Sequence, residues 1–169
     1  MKKITIIGKR NIEGLTGKKD KKRSIISNTI NKELFNNEKQ IKWLNQLYLE
    51  NNFENIKFAK REVERKLSSY KKQDIDKKKL NKAKLIKYDE CLEKLVISKL
   101  NCYYCKKICL FMYETVREKR QWTLDRINND IGHNTDNVVI CCLECNLKRG
   151  RLNDEKFKFT KQMKIIKKY

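Results

Sequence analysis

Residues 121–150 read QWTLDRINNDIGHNTDNVVICCLECNLKRG, and the pattern within them decides the fold. Trp122, Leu124 and Ile127, then Val138, Val139 and Ile140, are spaced as two short strands. Between them Asn128 to Asn137 is polar and contains Gly132, the composition of a loop. Leu143 to Arg149 follows as a helix, with Gly150 as its left-handed stop. Strand, loop, strand, helix is a ββα unit. Asp125 at the end of the first strand and Asn146 on the helix are oxygen donors that can converge on a hard cation, Mg2+ or Mn2+.

Two cysteine pairs bracket most of this stretch. Cys102 and Cys105 lie in NCYYC, Cys142 and Cys145 in CCLEC, and 36 residues separate the pairs. Two thiolates three positions apart hold one metal through a tight turn, and two such pairs complete a tetrahedral four-sulfur site. Zinc suits it, and a closed shell with no place for water makes that zinc structural. Cys91 and Cys109 read as small packing residues. Cys141 adjoins Cys142 but lacks the two-residue spacing to Cys145.

Outward from this unit the signals weaken. Beyond it, Asn153 is placed to cap a last helix from about Asp154, carrying Phe157, Phe159 and Met163. Lys148, Arg149 and Arg151 adjoin Asn146 and are expected on backbone phosphates. Before it, Tyr88 to Leu100 has helical spacing. So do the runs Ile41, Leu44, Leu47, Tyr48 and Ile56, Ala59, Val63, Leu67, Tyr70, and a shorter one, Leu80, Ala83, Ile86. The segment through about Lys22 reads as a short strand or tail. Lys71, Lys72, Lys77, Lys78 and Lys79 are either a phosphate-contacting stripe or a solvated face. The reading is therefore α+β, with a basic, mainly helical region over 1–87 and a metal-stapled ββα module over 88–169.

Charge points to a polyanionic partner. The 169 residues hold 42 Lys and Arg against 21 Asp and Glu, a net of +21. Residues 1–90 carry 25 basic and 12 acidic side chains and the remainder 17 and 9, so both halves attract phosphate. Abundant Lys, Asn and Ile also fit a compositional bias of the coding genome, which weakens charge as an argument by itself. No run of 18 apolar residues is present, so no membrane span is expected. The opening MKKITIIGKR is too short in its apolar run for a signal-peptide core. An intracellular, reducing compartment is expected, not secretion, and cysteines there favour metal over disulfides.

The 121–150 string resembles the HNH, or ββα-metal, nucleases. Their pattern is a strand bearing Asp-His, then an Asn, then a helix bearing His or Asn. The cysteine pairs match the zinc-bearing branch of that family, and Tyr88 through Lys164 is similar to HNH proteins of large DNA viruses. The resemblance covers nearly half the chain and none of residues 1 to about 87. It implies an endonuclease that cuts or nicks double-stranded DNA by metal-dependent phosphodiester hydrolysis, with a homodimer as one route to cutting both strands. Asp125 is then a ligand of Mg2+ or Mn2+ and Asn146 the second. Asn137 takes the central position, holding the loop and orienting the base.

Arg126 departs from the pattern, since it stands where the family has its general-base His, and a guanidinium accepts no proton from water. Two replacements remain open. His133, the one histidine in the chain, is a base of suitable pKa, although a loop residue of this kind also serves packing. Alternatively a nearby Tyr is the base, with Arg126 stabilising the charged phosphate. The competing function is a catalytically inactive HNH fold retained as a nucleic-acid-binding structural protein of a ribonucleoprotein or packaged genome. A zinc-ribbon adaptor would need neither Asp125 nor Asn146.

Overall fold

A computed structural model describes residues 36–53, 55–164 and 166, together with positions 5, 7, 8, 12 and 23. The expected N-terminal strand or tail therefore lies largely outside the described residues. Contacts divide the chain into one unit of Met1–Ile30 with Glu114–Val116, and another of Asn31–Tyr113 with Arg117–Tyr169. This division differs from the boundary expected at residue 87. The described part of the first unit has the Arg23 amide donating to the Glu114 carbonyl at 2.9 Å.

The second unit is mixed: helices α1 (Asn37–Tyr48), α2 (Ile56–Asp76) and α3 (Tyr88–Ile97), strands β1 (Trp122–Arg126) and β2 (Val138–Cys142), then α4 (Leu143–Arg149) and α5 (Asp154–Gln162). Both strands form one antiparallel sheet, with Trp122 opposite Cys142 and Arg126 opposite Val138. Asn36 caps α1 by accepting from the Glu38 amide, and Asn153 caps α5 by accepting from the Lys156 amide. Among the described residues no helix is long and apolar enough to cross a membrane.

The core explains why the boundary at 87 does not appear in the contacts. Leu44 and Leu47 from α1, Ala59 and Val63 from α2 and Leu92 and Leu95 from α3 share one buried cluster with Trp122, Leu124 and Ile140 of the sheet. Gln40 on α1 is fully buried; its side-chain oxygen accepts from the Phe111 and Met112 amides, and its nitrogen donates to the Met112 carbonyl. The apolar faces at helical spacing thus pack against the ββα unit itself, since neither layer alone has enough apolar surface to close a core.

One expected helix is absent. Leu80 to Ile86 forms turns, with the Asn81 side chain accepting from the Ala83 and Lys84 amides. Lys78 at φ 55° ends α2, and Leu85 bridges Asn134, so the segment lies along the loop between the strands. Local side-chain bonds of the Asn81 kind compete directly with helix formation. Of the three apolar residues expected on the last helix, Phe157 is buried, while Phe159 and Met163, the latter capping α5, are exposed.

Helix α2 fastens itself to the sheet through polar residues at four-residue spacing. The Lys66 ammonium donates to the Gln121 side chain at 3.0 Å and to the Trp122 carbonyl, and sits over the Trp122 ring. One turn on, the Tyr70 hydroxyl accepts from the Leu124 amide at 3.0 Å. One turn further, Asp74 holds the loop between the strands. On the outer edge of β1 the Trp122 amide donates to the Leu110 carbonyl and the Leu124 amide to Tyr70, so a loop and this helix share in covering it.

Candidate functional site

Two arrangements stand out. In the first, the Sγ atoms of Cys102, Cys105, Cys142 and Cys145 all lie within 4.8 Å of one another, a group able to hold one metal ion. The first pair sits on a turn closed by the Lys106 amide donating to the Cys102 carbonyl, with Lys106 at φ 60°. The second spans the start of α4, with Cys142 ending β2 and Cys145 in the first turn. The Tyr103 amide donates to the Ile140 carbonyl, which ties the two turns together. Cys91, Cys109 and Cys141 lie outside the group and are buried, and burial pushes the Cys91 thiol up to about 12.

The second arrangement is a cavity of about 570 Å³ between α2, β1, the inter-strand loop and α4. Asp125, Arg126, His133, Asn146 and Arg151 all line it, with Tyr70, Gln73, Lys77 and Lys79 from α2 and its end. Residues singled out from the 121–150 string therefore share one cavity.

Each is held by named partners. Asp125 is 5% exposed; the Tyr104 hydroxyl donates to its Oδ2 at 2.6 Å, and Arg149 donates to both oxygens at 3.0 and 3.1 Å. Burial raises the Asp125 pKa, opposed by Tyr104 and Arg149. Asn146 donates through Nδ2 to the Thr123 hydroxyl and the Leu124 carbonyl, which turns its Oδ1 into the atom left for a ligand. Asn137 lies behind the cavity. It accepts from the Asn128 amide and donates to the Asn128 and Gly132 carbonyls, bracing the loop end to end.

His133 is 4% exposed. Its Nδ1 lies 2.8 Å from Asp74 Oδ1, and its amide donates to Asp74 Oδ2 at 2.7 Å. The carboxylate at Nδ1 selects the tautomer with the proton there, leaving the Nε2 lone pair as the ring's acceptor. Burial lowers the ring's pKa, and Asp74 opposes that shift. Tyr70 stacks near the ring at 4.6 Å between centroids. Arg126 donates to the Ile131 carbonyl and lies 3.9 Å from Asp74.

Arg149 corrects an expectation. Placed on backbone phosphates by its position, it is instead 2% exposed, bonded to Asp125 and to the Arg126 and Ile127 carbonyls. A helix so short turns Arg149 inward one turn after Cys145, whereas Lys148 is exposed and pairs with Glu144. Arg151 is exposed at the cavity.

Sequence reasoning passed over Asp74, Tyr104 and the polar face of α2. A signal was present: Asp74 continues the Ala59, Val63, Lys66, Tyr70 face at the next turn, where a carboxylate needs a buried partner.

A 65-residue stretch, 38% of the chain, is 43% identical to part of an uncharacterized protein of Acanthamoeba polyphaga mimivirus. The match spans 10% of that protein's length. No family model and no solved structure matches the chain.

Proposed function

We propose that the chain is a metal-dependent nuclease of the HNH type that cuts or nicks double-stranded DNA. The observation that carries this reading is the convergence of Asp125, Arg126, His133 and Asn146 on one cavity. The four-cysteine group fits structural zinc: bonds of about 2.3 Å in a tetrahedron place sulfurs about 3.8 Å apart, and the four here lie within 4.8 Å.

Asp125 and the Asn146 Oδ1 are hard oxygen donors that would hold Mg2+ or Mn2+, with Arg149 giving up part of its hold on the Asp125 carboxylate. Such an ion, when bound, polarises the scissile phosphate and stabilises the leaving oxygen. His133 supplies the base. Asp74 fixes the ring at Nδ1, Nε2 accepts the proton of water, and burial keeps the ring neutral for that task. Arg126 adds positive charge beside the phosphate and stays protonated at any working pH.

The test is nicking of supercoiled plasmid with Mg2+ or Mn2+, comparing wild type with Asp125→Asn, Asn146→Ala and His133→Ala. Loss of nicking in the first two, with folding intact by circular dichroism, supports the nuclease. One observation favours a second reading: the Asp125–Arg149 pair already neutralises the proposed ligand. No nicking under any metal, with salt-sensitive DNA binding retained, would make the chain a nucleic-acid-binding structural protein.

A further inference from the structure

A second cavity, of about 370 Å³, adjoins the first and shares Tyr70, Gln73 and Asn146 with it. Its walls include Arg65, Ser69, Thr123 and Leu147. Across the two cavities, α2 contributes Arg65, Ser69 and Gln73 and its C-cap contributes Lys77, each four residues from the last. Four-residue spacing stacks side chains along one helical face, so these form a single row of donors. Arg65 to Lys77 spans about 18 Å at 1.5 Å per residue, enough to follow several successive phosphates of one strand.

The neighbouring row, Lys66, Tyr70 and Asp74, is spent on clamping the sheet and loop. The helix thus divides its labour in part: the first row clamps the sheet and loop while Lys66 and Tyr70 also wall the cavities, and the adjacent row faces the cavities without a clamping role. Lys77 has no ion pair among the described residues, and Arg65 keeps part of its guanidinium exposed beyond its bonds to Glu62 and Tyr113. Lys71 and Lys72 are exposed on the same helix but line neither cavity. The lysine stripe is therefore split by the fold into members that face the cavities and members that do not.

We infer that the Arg65–Ser69–Gln73–Lys77 row is a phosphate track that seats one strand of a DNA duplex along α2, running from the second cavity into the first. The inference rests on reading the first cavity as a phosphodiester site. It assigns α2 a role in binding rather than support alone, and it fixes the strand's direction of travel past Asn146 and His133.

The test measures affinity for a DNA duplex against salt, without added Mg2+, so that its outcome is independent of cleavage. The variant Ser69→Glu with Lys77→Gln changes the track by two charges; Lys71→Gln with Lys72→Gln removes the same two charges off the track. The track predicts that the first pair weakens binding and lowers the slope of log affinity against log salt by about one or more, at about 0.9 per lost phosphate contact. The second pair leaves the slope near that of wild type. Equal loss in both pairs would mean diffuse attraction, and no loss in the first would leave the row without a ligand; either overturns the track. An RNA hairpin measured in parallel completes the test, and loss confined to RNA also overturns it. Absent nicking with a track-dependent slope would remove the nuclease reading and leave the track standing.

Discussion

His133 has two partners that push its protonation in opposite directions. Burial lowers the ring's affinity for protons, and the Asp74 carboxylate raises it; burial is the larger influence. If His133 is the base of the proposed nuclease it must be neutral, so kcat/KM should rise with pH with a midpoint below that of an ordinary histidine, near 6.5. Asp74→Asn removes the raising influence, so the rise moves to still lower pH. It also frees the ring's orientation, and the plateau itself should fall roughly tenfold or more. Because His133 is the one histidine, a single ring resonance in NMR reports the same midpoint without any turnover. A midpoint unmoved by Asp74→Asn would remove Asp74 as its positioning residue. The folded pKa below the unfolded value also gives the sign for stability. His133 contributes its full share above pH about 6.5, and that share is lost as pH falls toward the folded pKa. At Asp125, Arg149→Met leaves a buried carboxylate bonded only to Tyr104. That should cost about 3 kcal/mol, read as a lower urea midpoint.

At the scale of elements, the contact between α2 and the inter-strand loop decides the site. Gly132 allows it: a Cβ there would meet the Lys79 carbonyl oxygen at 2.6 Å and Asp74 Oδ2 at 2.8 Å. Gly132→Ala should therefore push the loop off α2, costing about 1–3 kcal/mol in a denaturant titration and shifting the His133 resonance. The same contact marks where the sequence stopped being informative. Strands, loop and α4 follow from local pattern, as do the Asn153 cap and the cysteine spacing, because each depends on residues a few positions apart. Asp74 meets His133 across 59 positions, and Tyr104 meets Asp125 across 21. Local spacing puts Asp74 on the packed face of α2, but it does not name the partner so far along the chain. Leu80–Ile86 shows the opposite failure, a helical period overridden by Asn81 turn bonds and the bridge to Asn134. Arg149 was misplaced for a related reason: position beside Asn146 said nothing of which way a two-turn helix faces.

At the scale of the molecule, a chain of net charge +21 opposes its own compaction, and two devices offset that. One is the four-cysteine group, which joins turns 37 residues apart between Cys105 and Cys142. The other is a core assembled from α1, α2 and α3 together with the sheet. If both are needed, residues 88–169 are not an independent module. Cutting the chain before Tyr88 removes Leu44, Leu47, Ala59 and Val63 from the core, together with Lys66, Tyr70 and Asp74 from the sheet edge and loop. Each lost apolar side chain leaves its neighbours exposed at about 1.5–3 kcal/mol, a sum comparable to the whole stability of a small domain. The 88–169 fragment should therefore show no cooperative thermal transition, even with zinc supplied. A chain beginning at Asn31 keeps every core residue among the described residues and should retain the transition, which a chelator strong enough to remove the metal then abolishes or shifts far down. A cooperative transition in the short fragment would show that zinc and the ββα unit suffice alone. The α2 clamp would then be an addition to the site and not part of what folds it.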